Sequence, residues 1–218
     1  IKKSDLIDAD GLIIRTRTIC NEELLKGTKI KFIATATIGF DHIDTDYCDK
    51  NNIKWTNAPG CNSGSVQQWF MAALLAYAQQ NKIDLTTRCL GVIGVGNVGT
   101  KIVKFAENIG MRVLLNDPPR ADNEGVCGFL SMESILRESD IVTFHVPLEM
   151  QGKYPTYHLA NEKLLKNIRK GSLLVNASRG EVVDTQALNI ILESGKLSAI
   201  LDVWENEPHI NKSLLDKT

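Results

Sequence analysis

Three groups in this 218-residue chain combine residue types and spacing that can do chemistry: the glycine run Gly94-Val-Gly-Asn-Val-Gly99, the acid Asp117 and the arginine of Ser178-Arg179-Gly180. The run follows Leu90-Gly-Val-Ile93 and opens into a helical pattern. In a dinucleotide site Gly94 makes the tight turn out of a strand, Gly96 lets backbone approach a pyrophosphate, and Gly99 lets the helix pack closely on the sheet. The amides of Asn97 and Val98 then stand at a helix N-terminus, where unpaired N–H groups and the helix dipole favour phosphate. Asp117 lies eighteen residues past Gly99, at the end of the next strand. A carboxylate there accepts from the adenosine ribose hydroxyls and repels a 2′-phosphate, which points to NAD. Arg120 is a residue type that takes a 2′-phosphate, so NADP stays open, and Asp117 also reads as a turn former before Pro118-Pro119. Arg179 follows a strand, at the carboxyl edge where α/β sheets bind ligands, although a solvated loop arginine has the same local sequence.

These residues need a scaffold, and the apolar pattern supplies one. From Leu90 on, strands are expected at 90–93, 112–115, 141–144, 173–176 and 199–203, with helices at 99–108, 131–137, 161–168 and 185–194, the last stopped by Gly195. Short Val/Ile/Leu-rich strands alternating with helices predict an α/β fold, a doubly wound parallel sheet. Upstream, runs at 12–14, 30–33 and 53–55 predict a small βα layer short of its first strand. Between the two, Val66, Trp69, Phe70, Ala73, Leu74 and Tyr77 recur at helical spacing after Ser63 or Ser65 as N-cap. So dense an apolar helix predicts burial between two layers, as a connector.

Composition excludes several classes. Lys+Arg 25 against Asp+Glu 26, with no basic block, argues against a nucleic-acid partner. The longest apolar run, Trp69 to Ala78, is ten residues, about half a membrane span. Five widely spaced cysteines (Cys20, Cys48, Cys61, Cys89, Cys127) with no C-x-x-C suit reduced thiols in a cytoplasm rather than disulfides or a metal site. A start at Ile1 and a stop at Thr218 inside a helical pattern read as a piece of a longer chain.

Further segments carry a resemblance: Thr35-Ala-Thr-Ile-Gly-Phe-Asp-His-Ile-Asp44, Ala58-Pro-Gly-Cys-Asn62, Asp117-Pro-Pro-Arg-Ala-Asp122 and Phe144-His-Val-Pro-Leu148. Tyr154-Pro-Thr-Tyr-His-Leu159, Asn176-Ala-Ser-Arg-Gly-Glu-Val-Val-Asp184 and Leu201-Asp-Val-Trp-Glu-Asn-Glu-Pro208 complete the set. Together they resemble the D-2-hydroxyacid dehydrogenase superfamily. The resemblance implies a Rossmann-like NAD domain at 65–218, with a connecting helix at 65–80, and a partial flavodoxin-like substrate domain at 1–64 whose C-terminal part is absent. It implies hydride transfer from C2 of a small phosphorylated 2-hydroxy acid to NAD. The substrate of the most similar branch is 4-phospho-D-erythronate, oxidised to its 2-oxo acid on the way to pyridoxal 5′-phosphate. Another hydroxy acid such as 3-phosphoglycerate, or a non-enzymatic NAD sensor of the corepressor type, are the alternatives.

The same resemblance assigns roles. Arg179 would hold the substrate carboxylate and polarise the C2 oxygen, a task suited to a planar guanidinium. Glu207, preferred over Glu205 by position, would orient a catalytic histidine and raise its pKa. None of His42, His145, His158 or His209 fits that histidine, which is expected beyond residue 218. Asp202, Ala177 and Ser178 would line the nicotinamide side, and Val146 would serve through its backbone where a threonine is usual. Thr16 (in place of a serine), Thr37 and Gly39 would contact substrate. A cytoplasmic homodimer is implied, with no metal.

Overall fold

The computed structural model describes residues 1–125, 128–215 and 217–218. Cys127 therefore lies outside the described residues. The chain divides into two compact units, Ile1–Asn62 and Ser63–Thr218.

The first unit holds β1 (Gly11–Ile14), α1 (Glu22–Leu25), β2 (Phe32–Thr35), α2 (Thr45–Lys50) and β3 (Lys54–Thr56), with the strands in one parallel sheet ordered β1-β2-β3. Leu12, Ile14 and Ile33 are buried with Cys20, Cys48 and Ile53 on one face. The other face is open: Ile13 is 79% exposed and Phe32 43%. The second strand sits two residues later than the apolar run at 30–33 implied, because Phe32 and Ile33 alternate between the faces while Ile30 is buried ahead of the strand. The helix α2 is the helical piece between the second and third runs of that βα layer; Asp44 caps it by accepting from the Tyr47 amide at 2.9 Å.

The second unit runs α3 (Ser63–Gln80), β4 (Cys89–Ile93), α4 (Asn97–Asn108), β5 (Arg112–Asn116), α5 (Pro118–Glu124), α6 (Met132–Glu138), β6 (Ile141–Phe144), α7 (Glu162–Leu165), β7 (Ser172–Asn176), α8 (Thr185–Glu193), β8 (Leu197–Leu201) and α9 (Lys212–Leu215). Its five strands are all parallel, in the order β5-β4-β6-β7-β8. This is the doubly wound arrangement: the chain builds outward from β4 to β5, then returns to β6 on the opposite side, which leaves a crevice at the carboxyl ends of β4 and β6. Alternation assigns Leu90, Val92, Ile141, Leu173 and Val175 to one face, under α3 and α4. Ile93, Val142, Phe144 and Leu174 go to the other, under α6, α7 and α8. Both faces are apolar, as a parallel sheet covered on each side requires.

The connector helix buries one stripe within the second unit. Only Phe70, Leu74 and Ala78, spaced by four, join its Ser63 as fully buried, while Leu75 is 49% exposed. That stripe packs against α4 and the sheet face of Leu90, Val92 and Leu173.

Register places the ends of all five strands level. Ile93 pairs with Asn116 and Phe144, Phe144 with Asn176, and Asn176 with Leu201. The next residues, Asp117, Gly94, His145, Ala177 and Asp202, therefore leave the sheet in one row. Two close approaches tie the outgoing segments together. A Cβ on Gly99 would collide with the Gly94 carbonyl, and one on Gly180 with the Trp204 carbonyl and the Glu205 amide. Both are backbone contacts that no rotamer change relieves.

Two outcomes follow from this packing. Gly180→Ala forces the Trp204 backbone away and is expected to destabilise by about 1–3 kcal/mol, read as a melting temperature several degrees lower; an unchanged melt would refute the close approach. The His145 imidazole shares a hydrogen bond of 2.9 Å with the Thr143 hydroxyl, lies edge-on to Phe70, and is pushed down to about 4 by burial. Between that value and the ordinary 6.5 the unfolded chain binds the extra proton, so stability is full above pH 6.5 and falls as pH is lowered towards 4. Denaturant unfolding should show a loss of about 1.4 kcal/mol between pH 7.5 and 5.5 that His145→Asn diminishes. An equal pH dependence in the variant would contradict this.

Candidate functional site

The crevice begins with the glycine turn. Gly94 has φ +85° and donates its amide to the Asn116 carbonyl at 2.9 Å, so the chain turns away from β4 while still paired to β5. Gly96 is the N-cap of α4 and, lacking a side chain, supplies no cap hydrogen bond. The first amides of this twelve-residue helix are thus left for an acceptor from outside. A Cβ at Gly96 would meet no protein atom within 4 Å. Among the described residues nothing takes the space of that Cβ, which fits a group that approaches the backbone from solvent.

Asp117 caps α5, accepting from the Arg120 amide at 3.1 Å through one oxygen, with prolines in the first helical positions. Its other oxygen accepts from the Val95 amide at 2.7 Å. The guanidinium of Arg120 donates to the Val95 carbonyl at 2.6 Å, so this pair grips one residue of the glycine loop by both its amide and its carbonyl. The turn-forming part and a place beside the loop belong to the same carboxylate. Val146 lies at the same crevice: its side chain would be 2.8 Å from a Cβ on Gly94.

At the end of β7 the buried Asn176 organises the next turn. Its amide nitrogen donates to the Arg179 carbonyl at 2.8 Å, and its oxygen accepts from the Ser178 amide at 3.1 Å and the Ser178 hydroxyl at 2.7 Å. Sequence reasoning passed over Asn176, although an Asn ending a strand before Ala-Ser-Arg is an Asx-turn signal. Ala177 and Arg179 emerge half-buried from this turn, and Arg179 donates to its neighbour's carbonyl, Ser178, at 2.8 Å.

The segment after β8 is held against that turn at Gly180. Asp202 donates its amide to the Asn176 carbonyl at 2.9 Å, and Glu207 folds back to accept from the Trp204 amide at 2.8 Å. Burial and the Glu207 charge together push the Asp202 carboxyl above the usual range, so the two acids share one locality. The two glutamates separate clearly. Glu205 is only 14% exposed; it accepts from His158 Nε2 at 2.7 Å and from the Thr185 amide at 3.2 Å. Burial alone would raise its pKa, but the hydrogen bonds from His158 and Thr185 outweigh burial and hold it low. Glu207 is exposed. The His158–Glu205 link joins residues 47 apart and was invisible in the sequence. Behind it, His158, Asp184, Glu205 and His209 line a cavity of about 360 Å³.

In the first unit, Thr16 and Thr37 each lie two residues past the paired Ile14 and Thr35, so both stand at the carboxyl edge of that sheet. Thr37 donates to the Gly39 carbonyl at 2.8 Å and shares a hydrogen bond of 2.6 Å with Thr35, which in turn meets His42 at 2.9 Å. Among the described residues no helix is long and apolar enough to cross a membrane, and no group of three His, Cys, Asp or Glu is placed to hold a metal ion.

Comparison with known proteins agrees with this geometry. The sequence model of the D-isomer specific 2-hydroxyacid dehydrogenase NAD-binding domain matches residues 63–218. The chain is 54% identical over 211 residues to an erythronate-4-phosphate dehydrogenase of Bacteroides thetaiotaomicron, covering 96% of this chain and 61% of that protein. It is 45% identical to the Proteus mirabilis enzyme of that name over 214 residues, 98% of this chain and 57% of the relative. The chain thus spans about three fifths of the length of these curated relatives. Among solved structures, a D-lactate dehydrogenase from Aquifex aeolicus complexed with NAD and lactic acid superimposes with TM-score 0.83 at 30% identity, over 99% of this chain and 73% of that one. A cofactor (NAD+)-bound 3-phosphoglycerate dehydrogenase of Entamoeba histolytica gives 0.81 at 27%, over 94% and 68%. With its doubly wound sheet, glycine turn and matched domain, the chain belongs to the D-isomer specific 2-hydroxyacid dehydrogenase family, whose NAD-binding domain it carries.

Proposed function

We propose that the protein is an NAD-dependent dehydrogenase that oxidises C2 of 4-phospho-D-erythronate, giving 2-oxo-3-hydroxy-4-phosphobutanoate for pyridoxal 5′-phosphate biosynthesis. The observation that carries this reading is the identity of about half the residues, across almost the whole chain, with enzymes named for that substrate. The α4 amides of Asn97, Val98 and Gly99 hold the pyrophosphate, with Gly94 and Gly96 clearing its approach, and Asp117 accepts from the adenosine ribose. Val146, Ala177, Ser178 and Asp202 line the nicotinamide side. NAD, when bound, accepts the hydride that leaves C2.

The chain's own residues do the rest. The guanidinium of Arg179, on the turn that Asn176 holds, pairs with the substrate carboxylate and stabilises negative charge on the C2 oxygen. The hydroxyl proton passes to a histidine oriented by Glu207, and a carboxylate beside that imidazole stabilises its protonated form. The family resemblance gives that part to none of the four histidines here: His42 meets Thr35, His145 meets Thr143, His158 meets Glu205, and His209 lies too near Glu207 in sequence. Thr16, Thr37 and the Gly39 region supply substrate contacts from the first unit. We place the enzyme in the cytoplasm as a homodimer, acting on a small phosphorylated acid.

The test is NADH formation, followed by fluorescence, with the protein at the relatives' full length. Turnover of 4-phosphoerythronate is expected; response only to 3-phosphoglycerate or another hydroxy acid would replace the substrate, and cofactor binding without turnover would favour a sensor. Arg179→Ala should cut turnover by on the order of a hundredfold or more while NADH affinity stays within about twofold. Parallel loss of cofactor affinity would show that Arg179 serves the cofactor instead. Gly96→Ala should lower the melting temperature by no more than about 3 °C, the cost of a weaker N-cap, yet weaken NADH at least about tenfold by intruding on the pyrophosphate. Unchanged NADH affinity would remove the pyrophosphate from this turn.

A further inference from the structure

The chain presents two opposing groups for reading the adenosine 2′ position, Asp117 and Arg120, and the structure shows how the second is neutralised. Asp117 caps α5, and α5 itself carries Arg120 and Glu124. Arg120 and Glu124 are four apart and so share one helix face. Arg120 Nε meets one Glu124 oxygen at 2.8 Å and Nη2 meets the other at 2.7 Å, a bidentate pairing. Its Nη1 is spent on the Val95 carbonyl at 2.6 Å, and its plane lies 5.4 Å from the Phe129 ring centre. The guanidinium is therefore anchored by two contacts that do not involve Glu124, one of them on the glycine loop, while its charge is cancelled by one that does.

We infer that Glu124 is a specificity-determining residue: it occupies the edge of Arg120 that a 2′-phosphate would otherwise take, and so biases the site towards NAD. The inference rests on the dinucleotide reading of the crevice. With Asp117 and Glu124 negative and Arg120 positive, the local charge is −1, which opposes a phosphate dianion. Neutralising Glu124 brings the sum to zero and ends the two-point charged pairing on the Arg120 fork, which stays held by Val95 and Phe129. The pair is partly exposed, 37% for Arg120 and 52% for Glu124, so its strength comes from the two-point geometry and is sensitive to salt.

The experiment is a fluorescence titration of the 218-residue chain with NADH and with NADPH at low ionic strength. The unaltered chain should favour NADH. Glu124→Gln should raise NADPH affinity by about five- to tenfold, the scale of one charge acting on a dianion across several ångströms of water-like medium, and leave NADH within about twofold. Adding Arg120→Ala to Glu124→Gln should erase the gain, which a general loosening of α5 would not do. An unmoved NADPH/NADH ratio, or a gain that survives loss of Arg120, overturns the role of Glu124 with the dinucleotide site intact. Binding of neither nucleotide by the unaltered chain overturns both.

Discussion

Because β5, β4, β6, β7 and β8 share one parallel register, Asn116, Ile93, Phe144, Asn176 and Leu201 form a single final rung, and the chain leaves the sheet five times at the same level. Everything assigned to the crevice is one to six residues past that rung. A one-residue slip of any strand would invert its two apolar faces, so the cores that fix the register also fix the site. The apolar faces are distributed without ambiguity between the α3/α4 side and the α6/α7/α8 side. Precision at the crevice is in this sense a by-product of packing well away from it.

Beyond the rung, position is set by side chains that satisfy backbone rather than by regular structure. Asn176 completes the Ala177–Arg179 turn, Asp117 and Arg120 clasp Val95 by its amide and its carbonyl, and Glu205 reaches His158 and the Thr185 amide. Asn176 and Glu205 are sheltered from water and would be costly to leave unpaired, so their turns have few alternatives. The segment with Glu207 is therefore fixed on one side by the Gly180 approach and on the other by Glu205, while Glu207 itself stays exposed.

What the amino-acid order revealed follows the range of the interactions. Strands of the second unit were legible because Val, Ile and Leu cluster in short runs, and the glycine turn because its spacing has a mechanical reason. The helix α5 was hidden: two prolines after Asp117 read as a turn, whereas proline is well suited to a first helical turn when an aspartate caps it. The expected last strand at 199–203 lies at Leu197–Leu201, since Val203 belongs to the loop. The expected helix at 161–168 shortens to Glu162–Leu165, capped by Asn161 and ended within a turn. Contacts between residues far apart in sequence, Glu205 with His158 or Gly180 with Trp204, left no local signal at all. The two glutamates of the last segment looked interchangeable for that reason, and only burial and partners tell them apart.

The small sheet of the first unit carries a different consequence. Parallel strands are normally roofed on both sides, yet here Ile13 and Phe32 look out from one side of β1 and β2. Oily side chains standing in water on a flat ribbon attract one another between molecules. Concentrated solutions of these 218 residues should accordingly turn turbid on warming, and an aspartate in place of Ile13 should keep them clear.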